Sequence, residues 1–221
     1  MAGKLSPSVM CADLLKLYSE IEKLDKLGVE YLHIDFMDNK FVPNITFDTN
    51  MVKNMKRPMK NIRRDIHIMA FEPQQFFDNM EISEGDMVSV HLEACEDVHA
   101  VLKEIKDRGA DPCIAISPDT PVESVSEYLD EVYAVLLMTV YPGFAGQPMA
   151  PKSMERLSSL RKLIDESGKD VLIEVDGHVS WDHCSEMRSR GADIFVAGSS
   201  SVYGKDYELK DAVEKFYSLV E

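Results

Sequence analysis

His33 and Asp35 stand two positions apart in the apolar run Leu32-His33-Ile34-Asp35-Phe36-Met37-Asp38. Asp65 and His67 repeat the arrangement in reverse order in Asp65-Ile66-His67-Ile68-Met69. A strand has a period of two, so each pair projects from one face. A third apolar run, Leu172-Ile173-Glu174-Val175-Asp176-Gly177, ends on another carboxylate. Burying a carboxylate without a partner is costly, so His33, Asp35, His67 and Asp176 are expected to meet. Two imidazoles and two carboxylates suit one divalent metal ion, zinc first by ligand type, with manganese, iron or cobalt compatible. A carboxylate beside such an ion can also act as a base, which is the chemistry of proton abstraction next to a carbonyl. His91-Leu92-Glu93 carries ligand types at the same period and is either a further ligand or a support behind one. His99 and His183 fall in helical stretches and are expected at the surface.

These residues sit in a chain that alternates. Strand-like apolar runs lie near 4–10, 31–36, 64–69, 86–92, 112–116, 133–140, 171–176 and 193–198. Helical stretches separate them near 13–28, 48–58, 73–80, 96–108, 121–129, 151–167, 180–189 and 207–220. In the first, Leu14, Leu15, Tyr18, Ile21, Leu24 and Leu27 recur at spacings of three and four with charges between them. Pro121 after Thr120 suits a first helical position and its cap, and Gly109 and Gly191 sit where helices should stop. Eight strand-helix units in 221 residues, with no linker, predict one closed parallel (β/α)8 barrel domain over 1–221. A doubly wound sheet would carry fewer strands, and no Gly-x-Gly-x-x-Gly turn follows the first strand.

In such a barrel the reactive end is where strands finish. Ser8, His33, Asp35, His67, Met69, Met138, Asp176, Gly198 and Ser199 all fall at or just past predicted strand ends. Met37, Met69 and Met138 are either core filler or a polarizable wall around the site. Tyr141-Pro142-Gly143-Phe144-Ala145-Gly146-Gln147, Asp176-Gly177 and Ala197-Gly198-Ser199-Ser200 offer exposed amides after the sixth, seventh and eighth strands. Loops in those places commonly hold phosphate through amides and a helix N-terminus.

Composition bounds the partners. With 45% hydrophobic and 29% charged residues the chain can bury a sizeable core. A formal net charge of −15 argues against nucleic acid or an anionic membrane surface as a partner. Cys11, Cys95, Cys113 and Cys184 are scattered without a Cys-x-x-Cys pair, so a reducing cytoplasm is the expected setting. There is no run of 18 apolar residues, and no signal-peptide core follows Met1-Ala2-Gly3-Lys4.

Taken together, Ser6-Pro7-Ser8, His33-Ile-Asp35-Phe-Met37-Asp38, Phe41-Val-Pro43-Asn44, Asp65-Ile-His67-Ile-Met69, Met138-Thr-Val-Tyr-Pro142-Gly143-Phe-Ala-Gly146-Gln147 and Glu174-Val-Asp176-Gly177 resemble the ribulose-phosphate 3-epimerase family along essentially the whole chain. The resemblance implies a phosphate-binding barrel with one catalytic divalent metal held by His33, Asp35, His67 and Asp176. It implies Asp35 and Asp176 as two bases that invert C3 of a ketose phosphate through a metal-stabilised enediolate. Ser8 and His67 would then touch the substrate, and Met37, Met69 and Met138 would wall the reaction centre. Gly143, Phe144, Ala145, Gly146, Gly177, Gly198 and Ser199 would hold the phosphate, with His178 beside them. The expected partner is a phosphorylated ketose, and the expected assembly a homo-oligomer.

Asn39, Ala145 and His178 stand where the family usually has glycine. Met10-Cys11 and Gly-Phe-Ala-Gly-Gln-Pro look closer to the allulose-6-phosphate 3-epimerase branch, leaving ribulose 5-phosphate and allulose 6-phosphate both open as substrates. Two rivals remain. A decarboxylase or aldolase barrel would carry Asp-x-Lys-x-x-Asp, but Met37 occupies the lysine position. Loss of one of the four ligands would support a non-catalytic sugar-phosphate-binding barrel, and all four are present.

Overall fold

In the computed structural model, which describes residues 2–221, eight strands lie in one all-parallel sheet. They are β1 (Lys4–Pro7), β2 (Tyr31–Met37), β3 (Arg63–Met69), β4 (Met87–His91), β5 (Asp111–Ile116), β6 (Ala134–Met138), β7 (Leu172–Asp176) and β8 (Ile194–Ala197). The order runs β1-β8-β7-β6-β5-β4-β3-β2, and a parallel bridge from Ser8 to His33 brings β1 back against β2. The predicted barrel is present.

Alternation along each strand divides the residues between two environments. Leu32, Ile34 and Phe36 of β2, Ile66 and Ile68 of β3, and Ile173 and Val175 of β7 belong to the layer between sheet and helices. The intervening side chains enter the lumen. Tyr31, Met87, Cys113, Ala134 and Ile194 pack together there and fill the lumen near the amino ends of the strands. Because that plug is apolar, the polar lumen residues are stacked above it toward the carboxyl ends.

The helices are α1 (Leu17–Lys26), α2 (Thr49–Asn54), α3 (Phe77–Met80), α4 (Val98–Asp107), α5 (Ser153–Ser167), α6 (Trp181–Ser189) and α7 (Leu209–Val220). Two sequence expectations fail. The first helix starts late, and its buried stripe is Leu17, Ile21 and Leu24. Leu14, Leu15 and Tyr18 are exposed, Leu15 at 97%, because 14–16 forms a separate 3-10 turn whose start is set by the Asp13 side chain accepting from Leu15 N–H. The stretch expected as a helix near 121–129 is a 3-10 helix, Val122–Tyr128. Val122, Val125 and Tyr128, the residues it buries, recur every three positions, the repeat at which side chains of a 3-10 helix stack. Pro121 precedes it as cap residue, and the Thr120 hydroxyl donates to Glu93 instead of capping the helix.

Candidate active site

Register assembles the site. Parallel pairing sets His33 opposite Asp65 and Asp35 opposite His67, while Met138 pairs with Asp176 at the end of β7. Asp35 Oδ1 lies 3.3 Å from His33 Nε2 and 3.4 Å from His67 Nδ1. Asp176 Oδ2 lies 3.9 and 3.8 Å from the same two nitrogens. One donor atom from each of the four residues falls within 4.8 Å of all the others. His33 Nε2 and His67 Nδ1 are buried without a hydrogen-bond partner. Two orphaned ring nitrogens facing two carboxylate oxygens fit a divalent ion, which such borderline N/O donors accommodate.

The groups behind these four fix their orientation. Asp65 Oδ2 sits 2.5 Å from His33 Nδ1 and also accepts from the Ser6 hydroxyl at 2.7 Å. His33 therefore donates through Nδ1 and turns Nε2 toward the shared space, the outer hydrogen bond found behind ligating histidines. Ser8 Oγ donates to Asp35 Oδ2 at 2.6 Å, leaving Oδ1 to face the imidazoles. His91 and Glu93 stand behind His67: His91 Nε2 is 2.9 Å from His67 Nε2, so His91 supports the cluster and is not a fifth member of it. His99 is at the surface beside Glu131, as expected, whereas His183 is only half-exposed and packs its ring 5.3 Å from that of His178.

The two aspartates are pushed apart electrostatically. Burial raises the Asp176 carboxyl and His33 opposes it, but the negative Asp35 and Asp65 leave it at about 7. Burial also works against ionised Asp35, yet His33 and His67 outweigh it and hold that carboxyl far below the usual range. Divergent carboxyls in one site separate a base from a proton-holding partner. Glu174, fully buried on the same face of β7, has its carboxyl driven well up by burial and then by Asp65. Glu174 was not among the expected site residues, although its period-two spacing from Asp176 puts both on one strand face. Its approach to Asp65, four strands and more than a hundred residues away, had no local signal.

Above the cluster opens a cleft lined by Ser8, Met37, Met69, Met138, Gly143, Phe144, Ala145, Gly146, Gly177, His178, Gly198 and Ser199, with Asp35 and Asp176 at its floor. Of the residues expected to touch substrate, only His67 is absent from the lining, because it is wholly buried behind the two aspartates. Met37 and Met69 pack with Val42, and Met138 with Val140 and Val196, so the methionines are both core and wall. Met10, Cys11, Tyr141 and Gln147 also line the cleft.

Two loop residues take left-handed backbone. Asn39 takes the left-handed conformation at φ 59°, as a glycine there would. His178 does so too, at φ 49°, and its Nδ1–H donates to the carbonyl of Gln147 at 3.0 Å. Its ring therefore latches the loop after β6 to the loop after β7. The helix after β8 begins only at Leu209; next to Gly198 stands a single turn in which Ser201 and Tyr203 amides donate to the Gly198 carbonyl.

The sheet closure, the reactive groups at the carboxyl ends of the strands and the cleft above them define a (β/α)8-barrel enzyme. Solved structures agree on the fold: the chain superposes with a TM-score of 0.70 on KGPDC from Streptococcus mutans, at 10% identity over 100% of this chain and 98% of that one. A 3-hexulose-6-phosphate synthase gives 0.68 at 13% identity over 100% of both chains.

Residues 4–203 match the ribulose-phosphate 3 epimerase family, and the chain belongs to that family. It is 38% identical to the ribulose-phosphate 3-epimerase of Bacillus subtilis (strain 168) over 208 residues, 94% of this chain and 95% of that protein. The Methanocaldococcus jannaschii ribulose-phosphate 3-epimerase is 36% identical, covering 96% and 88%. That of Escherichia coli (strain K12) is 33% identical, covering 92% and 91%. The protein is accordingly an isomerase, a sugar-phosphate epimerase. Among the described residues no helix is long and apolar enough to cross a membrane.

Proposed function

We propose that this chain inverts C3 of a ketose phosphate, with Asp35 and Asp176 as the two acid/base groups. The observation that carries this reading is the pair itself: two carboxylates on one cleft floor, within 4.8 Å of each other, with affinities for a proton driven apart. Asp35 is ionised and oriented by Ser8, ready to take the C3 proton from one side. Asp176 is poised to return a proton from the other, and the roles exchange in the reverse direction. His33, Asp35, His67 and Asp176 would hold the divalent ion, zinc by donor set. When bound, that ion supplies Lewis-acid stabilisation of negative charge developing on the substrate oxygens. Met37, Met69 and Met138 exclude water from the reacting carbon, which strengthens every electrostatic contact there.

In deuterated water the substrate is expected to gain one deuterium at C3 and none at C1, read by NMR of recovered sugar phosphate. Label at C1 would make the protein an aldose-ketose isomerase, and no label at all would make it a non-catalytic binder. A lysine-assisted decarboxylase is disfavoured because the wall position Met37 is apolar and buried, and no lysine lines the cleft among the described residues.

The grip on phosphate falls to the loops after β6, β7 and β8, and the sugar length to what lies against them. His178 is the side chain that distinguishes this cleft, since it bridges two of those loops. His178→Gly removes a side chain from a left-handed position, which relieves backbone strain of roughly 1–2 kcal/mol, so folding should not suffer. The expected result is a raised Michaelis constant or a changed ratio of ribulose 5-phosphate to allulose 6-phosphate turnover. An identical response on both substrates with unchanged Michaelis constants would show that His178 is a bystander.

A further inference from the structure

His67 reaches the shared space through Nδ1, whereas His33 uses Nε2, so the two imidazoles need opposite tautomers. Asp65 sets the tautomer of His33 directly. No carboxylate touches the far side of His67. What touches it is another imidazole: His67 Nε2 and His91 Nε2 are 2.9 Å apart, with both rings fully buried and the tilted ring of Phe41 centred 4.7 Å from that of His91. One nitrogen of that pair must carry the proton and the other must accept it.

Glu93 decides which. Its Oε1 accepts from the Ser117 N–H at 2.9 Å and from the Thr120 hydroxyl. Its Oε2 lies 3.0 Å from His91 Nδ1, while Ser117 Oγ, at 3.5 Å, is too far to compete. A carboxylate only accepts, so His91 places its proton on Nδ1. Nε2 of His91 is then bare and accepts from His67 Nε2–H. His67 Nδ1 is left with a free lone pair, 3.4 Å from Asp35 Oδ1, which is the orphaned nitrogen of the site.

We propose that Glu93 and His91 are positioning residues that, acting in series, fix the Nε2–H tautomer of His67 and so present its Nδ1 lone pair to a divalent ion. The tautomer follows from the hydrogen bonds alone; its use in holding an ion rests on the reading of His67 as a ligand. The loop after β5 belongs to the device, because Ser117 and Thr120 pin the carboxylate that drives it.

Glu93→Gln should invert the relay. Ser117 N–H requires an acceptor, so the amide oxygen takes the Oε1 place and the NH2 group faces His91 Nδ1. His91 then carries its proton on Nε2 and donates to His67 Nε2, which forces the His67 proton onto Nδ1, toward the site. The test is nitrogen NMR of histidine-labelled, metal-free protein, wild type and Glu93→Gln, followed by a zinc titration against a competing chelator. The expected result is Nε2–H on His67 in the wild type and Nδ1–H in the variant. Zinc should bind the variant roughly 10–100-fold more weakly, the usual effect of losing an outer hydrogen bond behind a ligating histidine. Nδ1–H on His67 in the wild type, no tautomer change in the variant, or equal zinc affinity would each overturn the proposal. The wild-type spectrum decides by itself should Glu93→Gln fail to fold. A wild type with the expected tautomer that takes up no divalent ion would retire the ion-site reading and leave the relay standing.

Discussion

Asp176→Asn and Asp35→Asn are each expected to lower epimerisation by about 10²–10⁴-fold, the range supplied by one positioned acid or base. Each variant keeps one functional carboxylate, so each should still exchange the C3 hydrogen of one epimer with solvent while failing to interconvert the two. The measurement is turnover beside deuterium wash-in, starting separately from each epimer. Near-normal epimerisation in either variant would refute the two-base assignment. The variants should also differ in stability. The folded Asp176 carboxyl stands at about 7 against an ordinary 3.8, so the native protein holds this proton more tightly than the unfolded chain does. Its contribution is therefore present below about pH 4 and is lost as pH rises through about 7. Asp176→Asn removes that loss, and metal-free Asp176→Asn is expected to melt above the metal-free wild type at pH 8 and with it at pH 4. Equal melting points at both pH values would contradict the raised carboxyl.

Arg64→Met should be the most destabilising single change, by about 3–5 kcal/mol, as expected for stranding one partner of a buried ion pair. Arg64 lies between β3 and the helices at 1% exposure, and its Nε and Nη2 bind the two oxygens of Asp86 at 2.8 and 2.5 Å. The same guanidinium donates to the carbonyls of Val52 and Met80, both at 3.1 Å, and of Glu81 at 2.9 Å, joining α2 and the end of α3 to the sheet. Methionine matches the length of the stem but leaves Asp86 buried with the Ser83 N–H at 2.9 Å and, for charge, the half-exposed Lys56 ammonium at 3.5 Å. For a chain of this size the melting point should fall by roughly 6–20 °C. Arg64→Met with Asp86→Leu should recover much of that loss, because the stranded charge goes with its partner. A single variant melting within 2 °C of wild type would show that the pair is not a structural tie.

Much of the site was legible because its residues carry their own local signal. His33 with Asp35, and Asp65 with His67, share strand faces by period alone, and a carboxylate closing the apolar run at Asp176 marks the lumen end of β7. Eight apolar runs alternating with helical stretches leave a closed parallel barrel as the economical arrangement, and closure places strand ends on one rim. Helix limits were less legible. Leu14, Leu15 and Tyr18 fit an apolar helical stripe in sequence, yet they face solvent once Asp13 starts a separate turn before α1. In the same way Val122, Val125 and Tyr128 satisfy burial at a spacing that an α-helix and a 3-10 helix share for a few residues.

Sequence by itself determined which residue types share a strand face and which strand ends carry reactive groups, since both follow from backbone geometry within a few residues. Only the tertiary structure decided how those faces meet. Strand register puts Asp65 behind His33 and His91 behind His67, barrel curvature carries Glu174 to Asp65, and the left-handed His178 ties two loops together across the cleft. Each of these is a contact between segments 24 or more residues apart. Proton placement and the free lone pairs of the site depend on such contacts, because a hydrogen bond is fixed by distances of about 3 Å that no spacing along one strand can specify.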